Sequence, residues 1–266
     1  MKKKRIIPIV LFKDGFVVQS KNFSEYRNLG NPFDSVRRLS EWGADEVAFI
    51  NIGSAGEIPN TRNDLGRKTL PNYLEVLSSV SETAHMPLSS GGQIRSLSDI
   101  STRLSRGADK VIINTASFET PEFLSEAIRV FGSQCITVSM DVRKTEEKYS
   151  VFINGGSKRV DGEVIDWIKR FGSIGVGELL FTCIDRDGSK QGFDLVAVEM
   201  AAANTQMPLI VCGGAGKWED FETALNFPGV DAVAAANIFQ HTDQSVYLAH
   251  QYLYNKGAAV RKPQLL

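Results

Sequence analysis

Cysteine is scarce in this chain of 266 residues: there are three, odd in number, at positions 135, 183 and 212, each inside an apolar run. Scattered cysteines exclude a disulfide framework and show no metal-ligand spacing. They read as reduced core thiols of a cytoplasmic protein, and no metal or cofactor is expected. Histidine is equally scarce. His85, His241 and His250 stand beside no serine or cysteine in a nucleophile motif, so triad chemistry is not expected. Long apolar runs are missing too. No stretch reaches the ~18–20 residues of a membrane span. The first apolar segment, 6–12, is too short for a signal peptide and has no small-residue cleavage site after it. Nor is charge of one sign in excess: the net charge is −1, which implies no general affinity for nucleic acid or an anionic membrane. Lys2-Lys3-Lys4-Arg5 is a local basic run directly before the first apolar segment.

What the chain does have is alternation. Hydrophobic residues make up 42% of it, enough for a substantial core. Runs rich in Val, Ile and Ala predict strands over 6–12, 46–52, 87–90, 110–114, 135–141, 178–184, 209–212 and 232–236. They are mostly unbroken by charge, as expected of strands buried on both faces. Helical segments fall between them. Asn31-Pro32 and Thr120-Pro121 each offer an N-cap followed by proline at the first helical position. Further helices are expected over 194–204, 218–226 and 245–254.

The two halves of the chain resemble one another. Residues 7–11 align with 137–141, an offset of 130, whereas Gly91-Gly92 aligns with Gly213-Gly214 and Gly107-Ala108-Asp109 with Gly229-Val230-Asp231, an offset of 122. Eight strand–helix units in a chain of this size predict an α/β fold, a closed (β/α)8 TIM barrel with a twofold half-barrel repeat, forming one domain over 1–266. A doubly wound sheet would use the same elements, but the internal similarity favours closure. Two polar insertions, 53–70 and 144–161, would lie on the C-terminal face, where barrels build their active sites, and 148–153 reads as a hairpin arm.

Three groups of residues point to chemistry. Gly91-Gly92 and Gly213-Gly214 each end a strand ahead of a helix, where backbone N–H groups and the helix dipole favour an anion. Asn114-Thr115 and Ala236-Asn237, at the ends of the neighbouring strands, complete two sites on opposite sides of one mouth. The ligand expected there is a small molecule phosphorylated at both ends; tight turns without a ligand would use the same glycines. Asp141 ends a buried strand on the same face, where an unpaired carboxylate tends to be functional. Asp185 and Asp187, in Asp185-Arg186-Asp187-Gly188, are candidates for a ligand hydroxyl or for a turn-stabilising role. Finally, Arg5, Glu46, Lys110 and Glu178 each begin a strand, so that four alternating charges meet at the opposite end of the barrel, as a plug or as a gate.

Together these residues resemble the cyclase subunit of imidazole glycerol phosphate synthase across essentially the whole chain. The matching stretches include Lys4-Arg5-Ile6-Ile7, Lys13-Asp14-Gly15, Ile113-Asn114-Thr115-Ala116, Phe131-Gly132-Ser133-Gln134, Ile184-Asp185-Arg186-Asp187-Gly188 and Gly213-Gly214-Ala215-Gly216-Lys217. The resemblance implies a heterodimer with a glutaminase subunit, whose ammonia crosses the barrel axis to a doubly phosphorylated ribulosyl intermediate. It implies that Arg5, Glu46, Lys110 and Glu178 ring the ammonia entrance and that Asp109 lies on the docking face. It also implies two catalytic aspartates. Asp141 matches one; Leu11 stands at the other. Gln19 replaces a lysine of the family, with Lys21 nearby. Gln93 replaces a third glycine and is expected to crowd the first phosphate site. Asn51 replaces an aspartate, and Cys212 and Asn237 replace serines.

Changes gathered on the active face, with the entrance ring kept, point to a paralogue. On that reading the barrel relays ammonia, beside a sugar amidotransferase, for acetamidino modification of a surface-polysaccharide sugar. A working cyclase of histidine biosynthesis is the alternative, and a scaffold that only docks the glutaminase is the third.

Overall fold

The computed structural model describes residues 3–53, 56, 58 and 70–266. Eight parallel strands close on themselves: Arg5–Lys13, Val47–Asn51, Leu88–Gly91, Lys110–Ile113, Ile136–Thr145, Glu178–Cys183, Leu209–Cys212 and Val230–Ala235. Each pairs with the next in chain order, and the last returns to the first through Arg5↔Ala232 and Ile6↔Val233. The chain is thus a (β/α)8 TIM barrel, as the alternating pattern predicts.

Strand alternation sorts the side chains into two layers. On the first strand Ile6, Val10 and Phe12 face outward into the layer packed under the helices. Ile7, Ile9 and Leu11 face inward, where they meet Ala48, Ile112, Leu180, Ile210 and Ala234. Arg5 begins this inward row and Leu11 ends it. Leu11 lies six positions along the strand from Arg5, so the row runs ~20 Å from one mouth toward the other.

Asn31 caps helix Pro32–Glu41 by accepting a bond from the Phe33 N–H. Asp194 caps Leu195–Asn204 through the Ala197 N–H. The second expected proline start differs. Helix Glu122–Phe131 begins one residue later, with Pro121 at the cap and no side-chain cap bond from it. Phe123 and Leu124 donate instead to the carbonyls of Thr120 and Pro121.

Both half-barrels carry a hairpin after their first strand. The expected arm Lys148–Ile153 pairs with the fifth strand and with the short strand Lys158–Arg159. The sequence pattern did not single out the matching arm after the first strand, where Phe16–Lys21 pairs back on the barrel and Glu25–Gly30 pairs outside it. Most of the polar insertion 53–70 lies outside the described residues.

Candidate active site

At the N-terminal mouth the four charges form a closed square. Arg5 reaches Glu46 at 2.7 Å and Glu178 at 2.6 Å; Lys110 reaches the same two carboxylates at 3.0 Å and 2.8 Å. The Ser89 hydroxyl donates to Glu46, and although burial pushes the Glu178 carboxyl up, Arg5 and Lys110 more than offset this and hold it below its ordinary value. The ring is not sealed from water: the Arg5 and Lys110 side chains remain 20% and 19% exposed. Asp109 stands close by and accepts the Leu88 N–H at 2.8 Å. Its repeat mate Asp231 accepts the Leu209 N–H in the same way, so one role of Asp109 is to tie down the start of a strand.

At the C-terminal mouth the barrel opens into a cavity of about 440 Å³, and the sequence-predicted residues converge on it. Leu11, Gly92, Asn114, Thr115, Asp141, Asp187, Gly188, Gly213, Gly214, Ala236 and Asn237 all line it. Gly91 lies just behind, in the third strand. Asp141 is held in place: Asn114 Nδ2 donates to its Oδ2 at 3.0 Å and to the Ser139 carbonyl at 3.0 Å, and the Ser139 hydroxyl lies 3.4 Å from its Oδ1. Burial pushes its carboxyl up to about 7. Hydrogen bonds from Ser139, Asn114 and Thr182 pull the other way, while the negative charge of Asp187 adds to the rise. A carboxyl poised there donates or accepts a proton at neutral pH. Leu11, across the mouth, does neither.

Asp187 is shared between the cavity and the hairpin. Its Oδ2 accepts from the Ser20 hydroxyl at 2.7 Å and from the Phe23 N–H at 3.3 Å, and its backbone carbonyl accepts from the Asn22 N–H. Asn237 Nδ2 donates to the Ser20 carbonyl at 2.7 Å, and Gly188 packs against Ser20 and Lys21. These contacts lay the first hairpin over the mouth. Asp185 turns away and accepts the Lys144 N–H at 2.8 Å.

The two glycine turns match. Gly92 and Gly214 have φ of +92° and +107°, and a Cβ would fall 1.9 Å from the Asn51 carbonyl oxygen and 2.1 Å from the Gly192 carbonyl oxygen. Only glycine fits either position. Gln93 follows the first of these turns and lines the cavity. Its side chain swings across to donate to the Gly53 carbonyl at 2.6 Å, at a backbone φ of +56°.

The structure also brings in residues that the sequence pattern did not single out for the site. Lys190 and Arg95 place cations at the rim, and Phe23 and Tyr26 bring aromatic rings from the hairpin. Lys190 stands three positions after Asp187, which is the signal that could have found it. Lys21 is exposed and lies outside the cavity lining, whereas Lys190 is part of it.

Known proteins are consistent with this geometry. The model of the family described as histidine biosynthesis protein matches residues 5–245. The chain is 38% identical over 261 residues to imidazole glycerol phosphate synthase subunit HisF of Natranaerobius thermophilus, covering 98% of this chain and 100% of that protein. It is 40% identical over 258 residues to the subunit of the same name from Campylobacter concisus, covering 97% and 98%. A third relative of that name, from Anoxybacillus flavithermus, is 38% identical over 260 residues, covering 97% and 99%. With a closed barrel, paired glycine turns and Asp141 at one mouth, and a match over nearly its full length, this chain belongs to the histidine biosynthesis protein family.

Proposed function

We propose that this chain is the single-domain barrel subunit of a glutamine-dependent synthase of the imidazole glycerol phosphate synthase type. A glutaminase partner delivers ammonia at the charged ring, and the C-terminal mouth uses it on a small molecule phosphorylated at both ends. The names of the relatives support cyclase chemistry as the reaction. The observation that carries the reading is the row of inward residues from Arg5 to Leu11, which joins the ring to the mouth beside Asp141. Ammonia is neutral and small. The alanines and isoleucines lining the interior suit it better than ammonium, which would be desolvated there at high cost.

At the mouth the phosphates of the ligand would sit on opposite walls, one at Gly92 and Asn114-Thr115 and the other at Gly214 and Ala236-Asn237, each against free backbone N–H groups. That spacing lays the reacting carbons over Asp141. With Leu11 in place of a second carboxylate, Asp141 has to serve as both acid and base, moving its proton off and on as the ring closes. The first hairpin, tied by Asp187 and Asn237, covers the mouth and keeps water out.

Leu11 also supports a second reading, in which the barrel relays ammonia to a partner sugar amidotransferase for acetamidino modification and makes no imidazole itself. Turnover of the doubly phosphorylated ribulosyl substrate with ammonium salt separates the two. The cyclase reading expects product from the barrel alone; the relay reading expects none.

A further inference from the structure

The mouth has a cation beneath it as well as at its rim. Arg103, in helix Leu97–Ser105, is 5% exposed. Nη2 donates to the Gly92 carbonyl at 2.7 Å and Nη1 to the Asp99 carbonyl at 3.0 Å, while Nε is buried with no acceptor. Its guanidinium lies over the Tyr73 ring, 5.9 Å from the centroid. Among the described residues it forms no ion pair with a carboxylate. Burying a cation that makes no direct ion pair is costly, and burial lowers the Arg103 pKa, although electrostatic attraction to Tyr73 and Asp99 acts the other way.

The bond to Gly92 has a consequence for the turn above. The peptide from Gly92 to Gln93 is trans, so its carbonyl and its N–H point in opposite directions. With the carbonyl pinned beneath the loop by Arg103, the Gln93 N–H points away from it, on the side of the cavity that Gln93 lines. No acceptor among the described residues takes the Gln93 or Ile94 N–H. The next two N–H groups, of Arg95 and Ser96, are already taken by Asp99 Oδ2. Among the described residues, two adjacent donors at the cavity wall are left without an acceptor.

The other half of the barrel builds the same device from different parts. There the Gly214 carbonyl is pinned by the Gly192 N–H at 2.9 Å. The Gly216 and Lys217 N–H groups go to Asp220 Oδ2, which leaves the Ala215 N–H open. The first turn is one residue longer, and it recruits a side-chain cation where the second uses backbone.

We propose that Arg103 is a positioning residue for phosphate at the first glycine turn: by pinning the Gly92 carbonyl it presents the Gln93 and Ile94 N–H groups to the terminus of a phosphate monoester, and its buried charge complements the dianion. The inference rests on the reading of the mouth as a site for a ligand phosphorylated at both ends. Neither the rim cations nor Gln93 supplies this role, since the Gln93 side chain is committed to Gly53.

The test is a titration of the full chain with inorganic phosphate, followed at the backbone N–H resonances of Gln93 and Ala215. In the wild type both should move. In Arg103→Met the affinity read at Gln93 should fall about tenfold or more while that at Ala215 stays the same, and Arg103→Lys should lie between. Equal affinity at Gln93 in wild type and Arg103→Met, a parallel loss at Ala215, or no movement of Gln93 in the wild type would each overturn the inference. Should Arg103→Met fail to fold, the buried Nε–H resonance of Arg103 in the wild type gives the answer. It should shift with the same midpoint as Gln93, and an unmoved resonance refutes the role. Absence of ammonium-driven turnover with the Gln93 response intact would remove the cyclase reading and leave this one standing.

Discussion

Leu11 and Asp141 hold the same place in the two halves of the barrel. Each sits where a strand leaves the wall and pairs with the first strand of a hairpin, Leu11 with Val18 and Asp141 with Phe152. One half therefore offers an apolar side chain where the other offers a carboxylate. The duplicated scaffold is intact, and one of its two matched positions holds an ionisable group.

The burial of Asp141 predicts a pH dependence of stability. Its carboxyl rises from its ordinary 3.8 to about 7 in the folded chain, so the fold holds this proton more tightly than the unfolded chain does. That contribution is fully present below about pH 4 and is lost as pH rises through about 7. Asp141→Asn keeps the shape without the charge. Denaturant unfolding should show the variant gaining ~3–4 kcal/mol on the wild type between pH 4 and pH 8. A difference that stays constant with pH contradicts the raised carboxyl.

The charged ring predicts coupling. Lys110→Ala or Glu178→Ala opens the square and leaves the remaining charges unbalanced. With a glutaminase partner bound, either variant should go on hydrolysing glutamine while product formation falls behind, measured as the ratio of glutamate to product. An unchanged ratio in both variants removes the gate.

Asp109 and Asp231 make a matched control for docking. Both tie down the start of a strand, through Leu88 and Leu209. Substitution by Asn should therefore cost similar stability at either position, about 1 kcal/mol. If Asp109 also meets the partner, Asp109→Asn alone should weaken glutaminase binding in a calorimetric titration. Equal affinities would leave Asp109 a purely structural residue.

Gly92→Ala should be among the most damaging small substitutions at the mouth. The added methyl would collide with the Asn51 carbonyl at a backbone angle that alanine avoids. A loss of ~2–4 kcal/mol is expected in denaturant unfolding, together with the first phosphate site. A neutral result would mean that the turn is not held as described.

The barrel could be read from the chain because its strands are short apolar runs between helical segments, and because its glycine pairs recur at an offset of 122. The ring was legible for the same reason: Arg5, Glu46, Lys110 and Glu178 each interrupt an apolar pattern at the same point. Arg103 was not. In Leu97–Ser105 it looks like an ordinary exposed helix cation, and only the fold shows that this face of the helix lies under the Gly92 turn. The bond from Gln93 to Gly53 was not legible, because it crosses between two loops distant in sequence. The first hairpin was missed because its outer strand, Glu25–Gly30, is polar and pairs along one edge alone.

The central claim, that this barrel uses ammonia at its own mouth with Asp141, is tested most directly by giving the isolated chain the doubly phosphorylated ribulosyl substrate and ammonium salt. The account predicts imidazole product from the wild type, faster turnover in Leu11→Asp, and none in Asp141→Asn. No product from the wild type, with activity appearing only in Leu11→Asp, would contradict it and make the chain an ammonia relay whose original chemistry has been lost.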